Sequence, residues 1–138
     1  GSEHISLVIN EDQTLKGLTR MVSKLFTQEQ DLPTQDEAKA IALAFLENYA
    51  PDLINDMSIK WIDTHSEEVK TSAGDITLLG MKVKCRKPSD GLYFWVVVAA
   101  DKSVMTFERD IKWDFLSAGR KTEKWLHDTW LNENNIVL

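Results

Sequence analysis

Nine consecutive residues from Leu92 to Ala100 form the longest stretch of this chain that is apolar at both odd and even positions. They read Leu-Tyr-Phe-Trp-Val-Val-Val-Ala-Ala, and turn-forming residues bound them at Pro88–Gly91 and at Asp101–Ser103. An apolar run this rich in aromatic and β-branched residues is typical of a strand with both faces covered. The fold must therefore supply a cover for each side of this strand.

The length and the cysteine content predict a single domain without covalent cross-links. The chain has 138 residues, of which 43% are hydrophobic, and its single cysteine is Cys85. One cysteine excludes an intrachain disulfide and a cysteine-rich zinc site, and it is typical of a reducing compartment, which favours the cytoplasm. We expect one domain over residues 3–138, and we interpret Gly1-Ser2 as the remnant of a cleaved expression tag.

The charge pattern narrows the classes of partner. The net charge is −6, with ten acidic and four basic residues before Met57 and twelve of each from there onward. An acidic surface repels nucleic-acid phosphates and permits a basic protein partner. No apolar run approaches the roughly 18 residues that a membrane-spanning helix needs, so we expect no membrane insertion.

Two amphipathic helices are predicted in the N-terminal third. The first extends over residues 12–28, where apolar residues recur at intervals of three and four. The second begins at the capping-box sequence Thr34–Glu37 and ends near Ala50, because Pro51 disfavours a helical conformation in the residue before it. A short strand over His4–Ile9 is an optional additional element.

Four strands are predicted in the rest of the chain. The first covers Met57–Trp61 and is followed by a polar loop over His65–Asp75. The second runs from Ile76 to Cys85, with a β-bulge at Leu79–Gly80 where the apolar alternation slips by one residue. The third is the central apolar run. The fourth lies within Met105–Phe115, where one parity is apolar and the other polar, so one face is buried and one is in water.

A C-terminal helix over residues 122–134 completes the prediction. The predicted fold class is α+β, with two N-terminal helices, a four-stranded antiparallel meander sheet and this C-terminal helix. The N-terminal helices would cover one face of the central strand. The C-terminal helix, a second subunit or a bound ligand would cover the other.

This order of elements resembles that of cystatin-like domains, nuclear-transport-factor-2-like domains and some small bacterial immunity proteins. The resemblance concerns helices followed by a curved antiparallel meander, with no shared motif. It implies a helix-on-sheet fold and assigns no functional residue to this chain.

Aromatic residues are the first candidates for a binding site. Trp61, Trp95 and Trp113 fall on three predicted strands, and Tyr93 shares a parity with Trp95. On one face, these rings would line a pocket or a partner-binding surface. A plain hydrophobic core is the competing interpretation, and the usual burial of tryptophan on strands favours it.

A row of basic residues is the second candidate. Lys82, Lys84 and Arg86 share one parity of the second predicted strand and could bind an anion. Glu108, Asp110 and Asp114 on the polar parity of a nearby strand could instead pair with them. A solvated, ion-paired face is the favoured interpretation, and the row has no interleaved aromatic residues that would indicate nucleic-acid binding.

The residue types that serve in catalysis or metal binding do not form a recognisable motif in this sequence. Cys85 falls on the apolar parity of its strand, where a thiol is inert. Glu123 and His127 have the spacing of a surface pair on a helix. We therefore assign no catalytic residue, cofactor or metal, and an enzyme is the less favoured class.

The leading functional hypothesis is a non-catalytic protein-interaction domain, such as an inhibitor or immunity-type protein. Asp36, Glu37 and Glu47 on the second helix would steer association with a basic protein. A further hypothesis is an accessory domain of a larger protein that forms a homodimer through its second sheet face.

The rival hypothesis is a small-molecule-binding or enzymatic domain with an aromatic-lined pocket between the helices and the sheet. The predicted lining residues are Trp61, Tyr93, Trp95 and Trp113. The predicted residues at the mouth of the pocket are Asp63, His65 and Glu108.

Overall fold

The computed structural model describes residues 4–11, 14–21, 25–114 and 119–120. The strands are β1 (His4–Ile9), β2 (Leu15–Met21), β3 (Ser58–Thr71), β4 (Gly74–Arg86), β5 (Tyr93–Val98), β6 (Val104–Ile111), β7 (Trp113–Asp114) and β8 (Gly119–Arg120). The α-helices are α1 (Gln35–Tyr49) and α2 (Pro51–Ile54), and one 3₁₀ turn covers Glu29–Asp31.

Six of the strands form one antiparallel sheet in the spatial order β1-β2-β6-β5-β4-β3, and β7 pairs with β8 in a separate two-stranded sheet. The predicted fold class is therefore wrong in its arrangement of two N-terminal helices and a four-stranded meander. An antiparallel sheet combined with helix is the part of the α+β prediction that the structure supports. The optional strand His4–Ile9 is confirmed as β1, and the predicted C-terminal helix over residues 122–134 lies outside the described residues.

The first predicted helix is in fact strand β2. This strand buries Leu15, Gly17, Thr19 and Met21 in alternation. Gly17 and Thr19 are buried but are not large apolar residues, so the sequence does not show the alternation that is typical of a strand. The remaining apolar residues happen to recur at intervals of three and four, which is the spacing of a helix. The strand is stable because it pairs with β1 on one side and with β6 on the other.

The second predicted helix is confirmed as α1. The Glu37 amide donates to Thr34 Oγ1 at 3.1 Å and the Thr34 amide donates to Glu37 Oε1 at 2.9 Å, which completes the capping box. Ala38, Ala42 and Leu46 are buried on the side of the helix that packs on the sheet. Small alanine side chains let the helix approach the sheet closely.

The polar segment predicted as a loop over His65–Asp75 is mostly strand. β3 and β4 form one long hairpin that turns only at Ser72–Ala73. β3 lies at the edge of the sheet, and Val69 is its one buried residue, so its sequence carries almost no apolar alternation. Edge position therefore explains why this strand was missed.

The predicted β-bulge at Leu79–Gly80 is wrong, because β4 pairs with β3 through both residues without a register shift there. The bulge lies instead at Lys60 on β3, where Ile59 faces Cys85 and Trp61 faces Lys84. The slip in apolar alternation along β4 reflects a strand that is covered on both faces. A bulge at Lys60 places Ile59 and Trp61 on opposite sides of the sheet although their sequence parity is the same.

The central strand β5 is covered on both sides, as its sequence predicts. Phe94, Val96 and Val98 pack with α1. Trp95 and Val97 belong to a second cluster on the opposite side, which we call the second face, and their exposed fractions are 1% and 0%. Because a single chain already buries these two side chains, a second subunit is not required as a cover.

No helix in the described part of the chain is long and apolar enough to cross a membrane.

Candidate functional site

Two rows of residues cross the second face in cross-strand register. The first row contains Ser6, Thr19, Thr106, Val97, Lys82 and Asp63. The second row contains Val8, Gly17, Glu108, Trp95, Lys84 and Trp61. Directly opposed residues of antiparallel strands point to the same side of the sheet. Hydroxyl, ammonium, carboxylate and indole groups are therefore neighbours on this face.

Most polar members of the two rows are shielded from solvent. The exposed fractions are 1% for Ser6, 3% for Thr19, 4% for Lys82, 5% for Thr106, 7% for Glu108 and 8% for Lys84. Lysine and glutamate are rarely buried to this extent unless they are paired. The second face therefore combines buried polar side chains with its apolar cluster, whereas the buried cluster that includes the α1 side chains is apolar.

The side-chain hydroxyls of Thr19 and Thr106 have no hydrogen-bond partner among the described residues. The two threonines oppose each other across β2 and β6, where Cβ atoms of such a pair lie about 5 Å apart. A buried hydroxyl without a partner costs about 1–3 kcal/mol. Each hydroxyl offers one donor and two acceptor sites, so a polar group of another molecule would gain hydrogen bonds here.

Aromatic rings hold the two buried ammonium groups. Lys82 Nζ lies 4.0 Å from the ring centroid of Trp95 and 5.6 Å from that of Trp61. Lys84 Nζ lies 5.4 Å from the Trp61 centroid and 5.2 Å from that of Tyr93. Cation–π contacts strengthen when they are shielded from water. The rings therefore position both lysines rather than merely filling the core.

The favoured sequence-based interpretation of the basic row as a solvated face is wrong for Lys82 and Lys84. The prediction failed because burial on a sheet depends on which strands become neighbours, and the sequence pattern of one strand does not show this. β4 lies between β3 and β5, and β5 separates β4 from β6, which carries the acidic residues that were expected to pair with the basic row. The polar parity of β6 is not exposed either, since Thr106 and Glu108 are buried. Asp110 pairs with Lys16 at 2.9 Å instead of with the basic row.

Three of the four predicted pocket-lining residues lie together on the second face. Trp61 and Tyr93 contact Lys84, and Trp61 and Trp95 contact Lys82. Trp113 lies on β7, outside the six-stranded sheet. Trp95 is fully buried, whereas Trp61 is 42% exposed at the sheet edge. The aromatic set is thus located opposite α1 rather than between helix and sheet.

The residues predicted at the mouth of the pocket have different surroundings. Glu108 lies inside, between Gly17 and Trp95 in the second row. Asp63 is exposed on β3 and accepts a hydrogen bond from the Thr64 amide at 2.8 Å. His65 Nε2 lies 3.0 Å from Glu67 Oε1 on the same strand. Of these three, only Glu108 has a side chain in the buried polar interior.

The acidic residues that were predicted to steer a partner all lie on α1, but they differ in exposure and in the contacts they make. Asp36 and Glu47 are exposed. Glu37 completes the capping box, and its Oε2 lies 3.0 Å from Lys102 Nζ. The hydrogen bond from the Thr34 amide, followed by contacts with Lys102, lowers the pKa of Glu37 below its ordinary value. Glu37 therefore has a structural role in addition to its charge.

An ion pair between β6 and α2 was not predicted from the sequence. Arg109, whose side chain is 4% exposed, donates to both carboxylate oxygens of Asp52 on α2, at 3.1 and 2.6 Å. Its Nε also lies 3.2 Å from Asp110, which has a positive φ of 60° at a β-bulge of β6. A signal was present, because Arg109 was the one residue that broke the apolar parity of this strand.

Catalytic and metal-binding groups do not converge in the described residues. Cys85 is buried under α1, and desolvation raises its pKa to about 12. No cluster of three or more histidine, cysteine, aspartate or glutamate side chains with the geometry of a metal site lies in the ranges that the structure covers. The predicted surface pair Glu123 and His127 lies outside those ranges.

Comparisons with known proteins give no relative. No protein-family model, no curated protein and no solved structure matches the chain. The resemblance to cystatin-like, nuclear-transport-factor-2-like and immunity proteins depended on an element order that the structure replaces, so it carries no further argument. Function must therefore be inferred from the structure of this chain.

Proposed function

We propose that this protein binds a small polar molecule on the second face of its sheet. The observation that carries the proposal is the opposed pair of buried hydroxyls on Thr19 and Thr106, to which no described residue gives a hydrogen bond. Native proteins satisfy nearly all their buried polar groups, so this pair needs an explanation, and a bound polar molecule would supply the missing hydrogen bonds.

The surroundings of the hydroxyl pair support the same proposal. Lys82 lies in the row of the threonines, and Glu108, Trp95 and Lys84 lie in the adjacent row. Ligand sites typically combine apolar and aromatic walls with a few convergent polar groups. The small-molecule hypothesis is kept here, with the binding site on the side of the sheet opposite α1 and without a catalytic residue.

A fragment screen read by ¹H–¹⁵N NMR tests the proposal. We expect a subset of small polar fragments to shift the amide signals of β2 and β6 around Thr19 and Thr106. The double variant T19V/T106V keeps the shape of both side chains and removes both hydroxyls, so it should bind those fragments at least tenfold more weakly. The matched control is T77V, which removes an exposed hydroxyl on β4.

Two outcomes would contradict the proposal. The first is a screen in which no fragment shifts the signals of β2 and β6. The second is a set of hits whose affinities are the same for the wild type, for T19V/T106V and for T77V. Either result would leave the hydroxyl pair as a feature of the core alone.

A protein-interaction domain with an acidic surface is the second candidate. It is favoured by a groove between α1 and the start of β3, next to the exposed Glu47. The groove is lined by Lys39, Ala40, Leu43, Ala44, Glu47, Ile54, Met57 and Ile59. An apolar groove with a charged rim fits the anatomy of a protein-binding surface, and a basic partner would complement Asp36 and Glu47.

Charge reversal on α1 tests the second candidate. D36K/E47K should abolish the capture of a basic protein that the wild type enriches from a lysate at low salt, as read by quantitative mass spectrometry. Reversal of the exposed Glu68 on β3 to lysine is the control and should leave capture unchanged. Equal capture by all three proteins would contradict a steering role for α1. The predicted homodimer stays a prediction.

A further inference from the structure

We infer that the chain binds a free α-amino acid with an apolar side chain in a groove between α1 and the β1–β2 end of the sheet. The groove consists of two clefts, one apolar and one charged, which share Tyr49 as a lining residue, and we call it the Tyr49 groove. It lies on the side of the sheet that α1 covers, opposite the second face, so this inference does not rest on the proposed function.

The apolar cleft of the Tyr49 groove has a volume of about 570 Å³. Its apolar lining comes from β1, β2, α1 and β6 and consists of Leu7, Ile9, Leu15, Leu18, Phe45 and Val104. Ile9 and Tyr49 are large side chains that remain more than half exposed here. An apolar side chain of a ligand would remove part of this surface from water, which favours binding.

The charged cleft has a volume of about 520 Å³ and begins where the apolar cleft ends, at Tyr49. Its polar lining comes from the β1–β2 connection, α2 and β6 and consists of Asn10, Thr14, Lys16, Asp52 and Arg109. Sites for small molecules are typically clefts of about 300–1,000 Å³ that combine apolar walls with a few convergent polar groups. The Tyr49 groove has this size and this composition.

Lys16 and Arg109 have N–H groups that can bind a carboxylate. Lys16 Nζ donates to Asp110 Oδ2 at 2.9 Å, which uses one of its three N–H groups. Arg109 donates through Nη1 and Nη2 to Asp52, which uses two of its five N–H groups. Its buried Nε lies 3.2 Å from Asp110 Oδ2 without the geometry of a hydrogen bond. Ammonium and guanidinium groups that line one cleft are well suited to a carboxylate.

The side of the charged cleft nearest the helices favours a positive charge. The side chain of Asp52 is 51% exposed, so part of its carboxylate is open to a ligand beside Arg109. The 15-residue helix α1 ends at Tyr49, and the C-terminal end of a helix carries a partial negative charge. The exposed ring of Tyr49 adds a face on which a cation can rest. An ammonium group is therefore the complement of this side.

The charge count favours a zwitterion over a simple anion or cation. Lys16 and Arg109 carry two positive charges, and their partners Asp52 and Asp110 carry two negative charges. A ligand with a net charge would leave that charge unbalanced in a cleft that is partly shielded from water. An α-amino acid adds both signs and no net charge, and its side chain can occupy the apolar cleft.

Four probes test the inference on the wild-type protein. L-Leucine has all three groups, whereas 4-methylpentanoate lacks the ammonium group, isopentylamine lacks the carboxylate and L-serine lacks the apolar side chain. Each is titrated into ¹⁵N-labelled protein, and Kd values are taken from the amide shifts of Lys16, Tyr49, Asp52 and Arg109. We expect L-leucine to bind about tenfold more tightly than each of the others, because each of them lacks a charge-assisted hydrogen bond or a buried apolar contact.

Charge variants assign the two ends of the ligand. K16Q should weaken the binding of L-leucine and leave the Kd of isopentylamine unchanged, because that probe has no carboxylate. D52N should weaken the binding of L-leucine and leave the Kd of 4-methylpentanoate unchanged, because that probe has no ammonium group. K70Q and D75N alter exposed charges on the β3–β4 hairpin and are the controls, which should leave every Kd unchanged.

Three results would overturn the inference. The first is a partial probe that binds as tightly as L-leucine, since the group that it lacks would then have no role. The second is the absence of amide shifts around the Tyr49 groove in the L-leucine titration. The third is unchanged binding of L-leucine by both K16Q and D52N. The fragment screen of the second face is read around Thr19 and Thr106, so this inference and the proposed function can fail independently.

Discussion

At Thr19 and Thr106, the side-chain hydroxyls that are proposed to bind the ligand should also lower the stability of the free protein. Both are buried, and the described chain supplies neither with a hydrogen bond. Replacing an unsatisfied buried hydroxyl by a methyl group removes a desolvation cost. Without added ligand, T19V/T106V should therefore raise the free energy of unfolding by about 1–3 kcal/mol.

Urea denaturation of the wild type, T19V/T106V and T77V measures this effect. The exposed control T77V should change stability by less than about 0.5 kcal/mol. A double variant that is destabilised by about 1 kcal/mol or more would contradict the interpretation, because it would show that the hydroxyls are satisfied in the folded protein.

Asp52 is a second single residue for which we expect an effect on stability, and this effect should depend on pH. Its hydrogen bonds from Arg109 hold its pKa below the ordinary value of 3.8. A depressed carboxyl pKa contributes stability above the unfolded-state pKa, and that contribution is lost as the pH falls through the folded-state value. Because the Asp52 side chain is 51% exposed, solvent screening limits the effect to about 1 kcal/mol.

The stability difference between the wild type and D52N should therefore be largest near neutral pH and should shrink below pH ~4. Chemical denaturation over pH 3–8 checks this, with D36N as the control because Asp36 is exposed on α1 and lies away from Arg109. A difference that stays constant down to pH 3 would contradict the role of the Asp52–Arg109 pair.

The Cys85 thiol should be unreactive in the folded protein. Burial raises its pKa to about 12, so the thiolate that reacts with disulfide reagents is scarce near pH 8. Labelling by a thiol-reactive disulfide reagent should be slow in buffer and fast in denaturant. Rapid stoichiometric labelling of the native protein would show that the core under α1 opens readily.

Among the secondary-structure elements, α1 is the one whose position could be predicted from local sequence alone. Its start and end were predictable because the capping box and Pro51 act within a few residues. T34A should cost about 0.5–2 kcal/mol of unfolding free energy, measured by thermal or urea denaturation. T34S keeps the capping oxygen and should retain most of the stability; equal losses in both variants would contradict the cap.

The close packing of β4 against β5 gives a second test at this scale. A Cβ at Gly80 would clash with Val97 Cγ1 and lie 3.2 Å from the Val98 carbonyl oxygen. G80A should therefore destabilise the protein by about 1–3 kcal/mol, as is usual for overpacking. V97A opens space for the added methyl, so G80A should cost less in a V97A background; equal costs would argue against this contact.

Unlike α1, three features could not be predicted from local sequence: strand β2, the full length of strand β3, and the candidate site on the second face. β2 buries Gly17 and Thr19, and β3 is an edge strand with one buried residue, so neither has the apolar alternation by which a strand is recognised. The aromatic residues of the site were identified, but Lys82, Lys84 and Glu108 were expected in water. Their burial depends on which strands become neighbours, and that order is a property of the sheet.

At the scale of the whole molecule, one sheet separates two interiors of different chemistry. The side under α1 is an apolar core that contains Phe94 and Phe107. The second face combines an apolar cluster around Trp95 and Val97 with buried lysine, glutamate and threonine side chains. The proposed binding of a small polar molecule concerns the second face, and the apolar cluster under α1 has no part in it.

A crystal structure of the protein saturated with the tightest-binding fragment of the screen, used as the probe, tests the proposed function most directly. We predict electron density for the probe on the second face, with a polar atom within hydrogen-bonding distance of the hydroxyls of Thr19 and Thr106. A single ordered water bonded to both hydroxyls in such a crystal, with the probe elsewhere or missing, would contradict the account.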